Sequence, residues 1–151
     1  EKTRIYVLKE IAKWKVDIIV YVIDKENRRV DDTPENYGIV VGGAITESLR
    51  LGSAIKLTAD KKYTSFKQQN EFLTAAQNTI SRLFPTGANV FFNPPIDSQK
   101  ENIIQLADFI AGAYNYKYNN KESRYADIVK KRVIVEKVVK WTELKKKAIK
   151  P

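Results

Sequence analysis

The chain of 151 residues contains no cysteine, no histidine and no methionine. Without cysteine there are no disulfides and no thiolate metal sites. Without histidine there is no Ser-His-Asp triad, no imidazole general base and no histidine zinc ligand. Catalysis by this chain would have to rest on carboxylates, lysines, tyrosines or hydroxyl groups. No apolar run approaches the length needed to span a bilayer, and Glu1-Lys2-Thr3-Arg4 does not read as a secretory signal. These absences lead us to expect a cytoplasmic protein with no membrane partner. The missing methionine, in a chain that begins at Glu1, suggests a piece of a longer polypeptide.

Apolar residues make up 43% of the chain and charged residues 30%, an ordinary globular balance over a length that suits one domain, 1–151. Lysine and arginine number 27 against 18 aspartates and glutamates, giving a net charge of +9. The corresponding pI is about 9.6. Such a balance favours polyanion partners, nucleic acid first among them, because each neutralised phosphate releases counterions. Much of the excess, however, lies in Lys130, Lys131, Lys137, Lys140, Lys145, Lys146, Lys147 and Lys150, which also fits a solvated surface. Lysine-rich surfaces of that kind occur in thermophilic proteins too.

The order of elements is that of an α/β domain. Residues 4–14 carry Ile5, Leu8, Ile11 and Ala12 at helical spacing. The run from Val16 to Ile23 is β-branched and apolar at nearly every position, the pattern of a strand covered on both faces. Thr33-Pro34 opens a helix to about 50, in which Gly42-Gly43 permits close packing and Gly52 is a plausible stop. A second strand, 54–59, ends at Asp60. Ser65 caps a helix that stops before Pro85, and a short third strand covers 89–92. A helix then spans about 99–116. In the extension 121–151, residues 132–139 suit a strand or a basic helix, and Thr142-Glu143-Leu144 begins a last helix. Strand–helix alternation implies parallel strands joined by right-handed crossovers.

In open parallel sheets functional groups gather beyond the carboxyl ends of the strands. Asp24 and Asp60 end the first two strands, Asp97 follows the third, and Asp108 lies in the next helix. Mg²⁺ or Mn²⁺ would suit such a set, since hard cations take carboxylate oxygens and need no histidine. Each aspartate also has a plainer use. Asp24 can open a turn, Asp97 can cap a helix or prepare a cap at Ser98, and Asp60 can pair with Lys61 or Lys62. Asp108 stands in Ile103-Ile104-Gln105-Leu106-Ala107-Asp108-Phe109-Ile110-Ala111-Gly112-Ala113, where a buried carboxylate would need a metal or a cation as partner. Gln105 and Gly112 share its helix face, the one able to hydrogen-bond and the other leaving room for a ligand. Lys25, Lys61, Lys62 and Lys100 fall near the same edge as candidate phosphate ligands. Tyr63, Tyr114, Tyr116 and Tyr118, interleaved with Lys117, fit either base stacking or ordinary packing.

Asp97-Ser98 followed by Ile104-Gln105-Leu106-Ala107-Asp108-Phe109-Ile110-Ala111-Gly112-Ala113 resembles the C-terminal signature of the family catalogued as domain of unknown function 3800. The similarity spans roughly 15–118 and is most specific over 97–113. It implies a ribonuclease H-like fold, a mainly parallel sheet with flanking helices, and a metal-dependent nuclease activity. By resemblance Asp60 and Asp108 are metal ligands, Asp97 a third acidic contributor, and Asp24 a more distant candidate. The family's N-terminal strand, which carries an Asp-Glu-Ser-Gly motif and the first carboxylate, has no counterpart in this chain. That departure leaves open a non-catalytic module that binds nucleic acid or protein. It also leaves an exposed sheet edge, where a second copy could pair.

Overall fold

The computed structural model describes residues 1–52, 54–57, 62–87, 89–92 and 102–149. Helix α1 (Lys2–Lys13) buries Leu8, Ile11 and Ala12, the residues whose spacing marks it. Strand β1 (Ile18–Asp24) follows, then α2 (Pro34–Leu49), β2 (Ala54–Leu57), α3 (Phe66–Leu83), β3 (Asn89–Phe92) and α4 (Asn102–Asn120). The chain closes with a short α5 (Arg124–Val129), a 3-10 turn over Lys130–Arg132, β4 (Val133–Lys140) and α6 (Trp141–Ile149). The two signalled helix starts form as expected. Thr33 Oγ1 accepts the amide of Asn36 at 3.1 Å with Pro34 in the first turn, and Ser65 Oγ accepts that of Gln68 at 3.1 Å.

The α/β class holds, but the strands do not form one ladder. Among the described residues they form two parallel pairs, β1 with β4 and β2 with β3. Residues 132–139, which suited strand or helix, are mainly strand. Their β-branched run pairs with the equally β-branched β1, from Ile18 beside Val133 to Asp24 beside Lys140, with one irregularity at Ile18/Ile19. Short α5 has Ser123 at its N-cap, but the serine makes no capping hydrogen bond there. The helix forms because Tyr125, Ala126 and Val129 complete the core under α1 and α4.

Helices cover both faces of β1, as its unbroken apolar run predicts. Ile18, Val20 and Val22 pack with α1, α4 and α5, while Tyr21 and Ile23 face Ile39 of α2 and Trp141 and Leu144 of α6. Helix α2 also reaches the other pair, where Ile45 and Leu49 meet Ile80 of α3 and Val90 and Phe92 of β3. Gly38 and Gly42 press α2 against the α3 backbone, and Gly43 receives the ring of Tyr21. Thr46 and Thr79 are buried at this crossing, each donating its hydroxyl to the carbonyl four residues earlier. No described helix is long and apolar enough to cross a membrane.

Candidate functional site

The loop between β1 and α2, residues 25–33, is the meeting point of three chain segments. Asp24 closes its first turn by accepting the amide of Glu26 at 2.8 Å, while Glu26 and Asn27 take left-handed backbone angles (φ 55° and 58°). Thr142 at the start of α6 donates its hydroxyl to Glu26 at 2.6 Å, tying the exit of β4 to this loop. Lys62, on the segment that leads from β2 to α3, places its ammonium 2.7 Å from Asp32. Direct contacts thus bring the loop after β1, the start of α6 after β4 and Lys62 ahead of α3 together.

Around Lys62 the contacts are dense. Its ammonium lies 4.7 Å from the centre of the Tyr37 ring and 5.9 Å from that of Tyr63. Tyr37 stacks on Phe72 at 5.1 Å and meets Tyr63 edge-on at 6.1 Å. Gln69 donates its side-chain amide to the Tyr63 carbonyl at 2.9 Å, which secures the segment from the α3 side. The Tyr63 hydroxyl oxygen is buried without a hydrogen-bond partner, and burial together with the nearby Asp32 charge raises its pKa above the usual tyrosine value. Neighbouring Asp31 pairs with Arg29 at 3.5 Å. Lys25 and Arg28, on the same loop, are exposed.

Asp108 is exposed, on the second turn of α4. Its helix packs through Leu106, Phe109, Ile110, Ala113 and Tyr114, and Asp108 falls on the opposite side with Gln105 and Gly112. The expected cost of a buried carboxylate therefore does not arise. A β-carbon at Gly112 would meet nothing within 4 Å, so the glycine keeps an open surface. Asp60, Lys61, Asp97, Ser98 and Lys100 lie outside the described residues. Among the described residues no three acidic side chains cluster as a metal site, and Asp24 is engaged by its turn.

Sequence inspection did not single out Asp32, Arg29, Tyr37 or Thr142 for this region. Asp32 and Arg29 sit in a polar loop with no distinguishing pattern, and Tyr37 reads as one more core position of α2. The tyrosines near Lys117 are held by protein contacts. The Lys117 ammonium lies 5.5 Å from the centre of the Tyr114 ring and 2.8 Å from Glu136, and Tyr118 donates to the same carboxylate. A groove of about 470 Å³ between α2, α3 and α6 is lined by Glu35, Asn70, Glu71, Asn78 and Arg82 among others, and contains none of the candidate residues. Compared with family models, curated proteins and solved structures, the chain matches none.

Proposed function

We propose that the chain acts on nucleic acid at the carboxyl edge of its strands, as a Mg²⁺- or Mn²⁺-dependent phosphodiesterase. The supporting observation is the meeting of Lys62 and Thr142 on the loop after β1, through Lys62–Asp32 and Thr142–Glu26. Asp60 stands two residues before Lys62 in the sequence, and Asp108 has an open approach beside Gly112. In this proposal Asp60 and Asp108 hold metal, with Asp97 and more remotely Asp24 assisting. Lys25, Lys61, Lys62 and Lys100 contact phosphate. Metal held there would supply an activated water and charge stabilisation for the leaving oxygen. The signature over 97–113 supports the choice of chemistry, and the net charge of +9 the choice of polyanion.

The purified protein should cleave single- or double-stranded DNA or RNA on addition of Mn²⁺. Asp60→Asn and Asp108→Asn should each abolish cleavage while leaving the thermal melt unchanged. Activity that survives both substitutions would overturn these roles.

A second reading is a binding module that does not cut. The exposed Asp108, and the lack of a three-carboxylate group among the described residues, favour it. It requires salt-dependent binding in EDTA and no cleavage when metal is restored.

A further inference from the structure

The two aspartates at the end of the 25–33 loop each neutralise one cation, Asp31 at Arg29 and Asp32 at Lys62. All these groups are accessible. Asp31 and Asp32 are both 72% exposed, Arg29 is 91% exposed, and Lys62 retains 39%. Exposed ion pairs contribute little net stability and exchange readily with other anions. Lys62 differs from an ordinary surface lysine in having a second, uncharged anchor. The Tyr37 and Tyr63 rings hold its ammonium from the side, and those rings are themselves fixed by Phe72 and by the Gln69 bond to the Tyr63 carbonyl. An incoming phosphate can therefore replace Asp32 without drawing Lys62 off its aromatic seat. Lys25 and Arg28 on the same loop are exposed as well, with Asp24 and Glu26 on either side of Lys25 in the chain.

We propose that Asp32, seconded by Asp31, is an internal competitor that occupies Lys62 and Arg29 until a nucleic-acid phosphate displaces it. The inference rests on the nucleic-acid reading above, and adds a guard to the same edge. The guard weakens non-specific binding to every polyanion, since an incoming chain must first displace a carboxylate. It also keeps Lys62 in position, because the pair and the rings pull on the same ammonium.

The test is fluorescence anisotropy of a labelled single-stranded oligonucleotide titrated with the whole chain in EDTA at several salt concentrations. Asp32→Asn should tighten binding roughly two- to fivefold, the range spanned by an exposed ion pair. It should also steepen the salt slope by about 0.7, as expected for one more neutralised phosphate. Asp17→Asn makes the same charge change at an exposed aspartate on the amino-terminal side of β1, and should leave affinity near wild type. Lys62→Met should cancel the gain of Asp32→Asn when the two are combined. Equal gains from Asp32→Asn and Asp17→Asn would show a long-range charge effect and overturn the guard, as would no gain at all. An equal gain on dextran sulfate would overturn the assignment to phosphodiesters. If neither wild type nor variants bind the oligonucleotide at low salt, the nucleic-acid reading itself fails, an outcome distinct from wild-type binding that Asp32→Asn leaves unaltered.

Discussion

Gly42 of α2 faces the backbone carbonyl of Ala76 in α3 so closely that a β-carbon there would lie 2.8 Å from the oxygen. The same carbon would stand 2.8 Å from the Thr79 β-carbon, so neither neighbour is a flexible chain end that could swing aside. This contact, repeated one turn earlier at Gly38, brings the two helices together beneath the loop that carries Asp32. Close helix contact thereby fixes where α2 begins and how Tyr37 meets Phe72.

Gly42→Ala should accordingly destabilise the protein. Alanine gains about 1 kcal/mol of helix propensity over glycine, but overpacking a fixed interface typically costs about 1–3 kcal/mol and here involves backbone. Gly112 offers the contrasting case, since it lies within α4 with open space at its β position. Gly112→Ala should stabilise by roughly 0.5–1 kcal/mol. Denaturant midpoints for the two variants should move in opposite directions. A stabilising Gly42→Ala would mean that α2 and α3 do not cross as closely as described.

The spacing signals were sufficient for most individual elements. The Thr33 and Ser65 caps, the apolar run of β1 and the glycines of α2 each encode a local or nearest-neighbour preference, and each appears where expected. Pairing of β1 with β4 was not readable, because hydrogen bonds between strands more than a hundred residues apart leave no periodic trace in either one. Among the described residues the strands of the expected sheet form two parallel pairs. Asp108 misled for a different reason. Apolar residues on both sides in sequence suggested burial, but the packed stripe of Leu106, Phe109, Ile110, Ala113 and Tyr114 runs along the opposite face, and the Asp108 side of α4 turns outward. Lys62 was singled out from the sequence, but its partner Asp32 lies thirty positions away in an unpatterned loop.

Glu47 of α2 is buried and accepts from Lys137 of β4 at 2.8 Å, with Arg50 at 3.8 Å. Removing Lys137 alone would strand a buried carboxylate beside the sheet. Because the lysine is itself 44% exposed, Lys137→Met should cost about 1–2 kcal/mol, below the figure for a fully buried pair. The double variant Glu47→Gln with Lys137→Met should recover most of that loss. Urea denaturation of the four members of this cycle yields the coupling, and a coupling near zero would show the contact to be incidental.

Tyr21, Tyr114 and Tyr118 all have pKa values pushed up to about 12, chiefly by burial, with Glu47 acting on Tyr21 and Glu136 on the other two. A raised pKa means that the folded state favours the protonated phenol. The associated stability is complete below pH 10, the unfolded value, and is lost as pH rises through 12. Glu136 behaves in the opposite sense. Burial pushes its carboxyl up, but hydrogen bonds from Lys117 and Tyr118 outweigh this and hold the pKa below 4.5. Its contribution is present above pH 4.5 and fades as pH falls through the depressed value. Tyrosinate absorbance should therefore include a rise near pH 12 that coincides with loss of helical ellipticity. Tyr21→Phe and Tyr114→Phe should shrink that rise. Its absence would contradict the packing described for these rings.

Asp24 and Asp108 separate a turn from a site. The Asp24 side chain accepts the Glu26 amide at the start of a left-handed turn, so Asp24→Ala should cost about 1 kcal/mol by orphaning that donor. Asp24→Asn retains an acceptor oxygen and should keep the stability while deleting the charge. If the carboxylate serves only the turn, Mn²⁺-dependent cleavage by Asp24→Asn will match wild type. If it also contributes to a metal site, cleavage will fall with no change in melting temperature. Asp108, exposed and making no hydrogen bond or ion pair among the described residues, has no comparable structural task. Asp108→Asn should leave the melt unmoved and remove cleavage. Paired melts and cleavage assays on these three variants assign each aspartate to scaffold or chemistry. An Asp108→Asn variant that unfolds would show that its carboxylate supports α4 rather than a ligand.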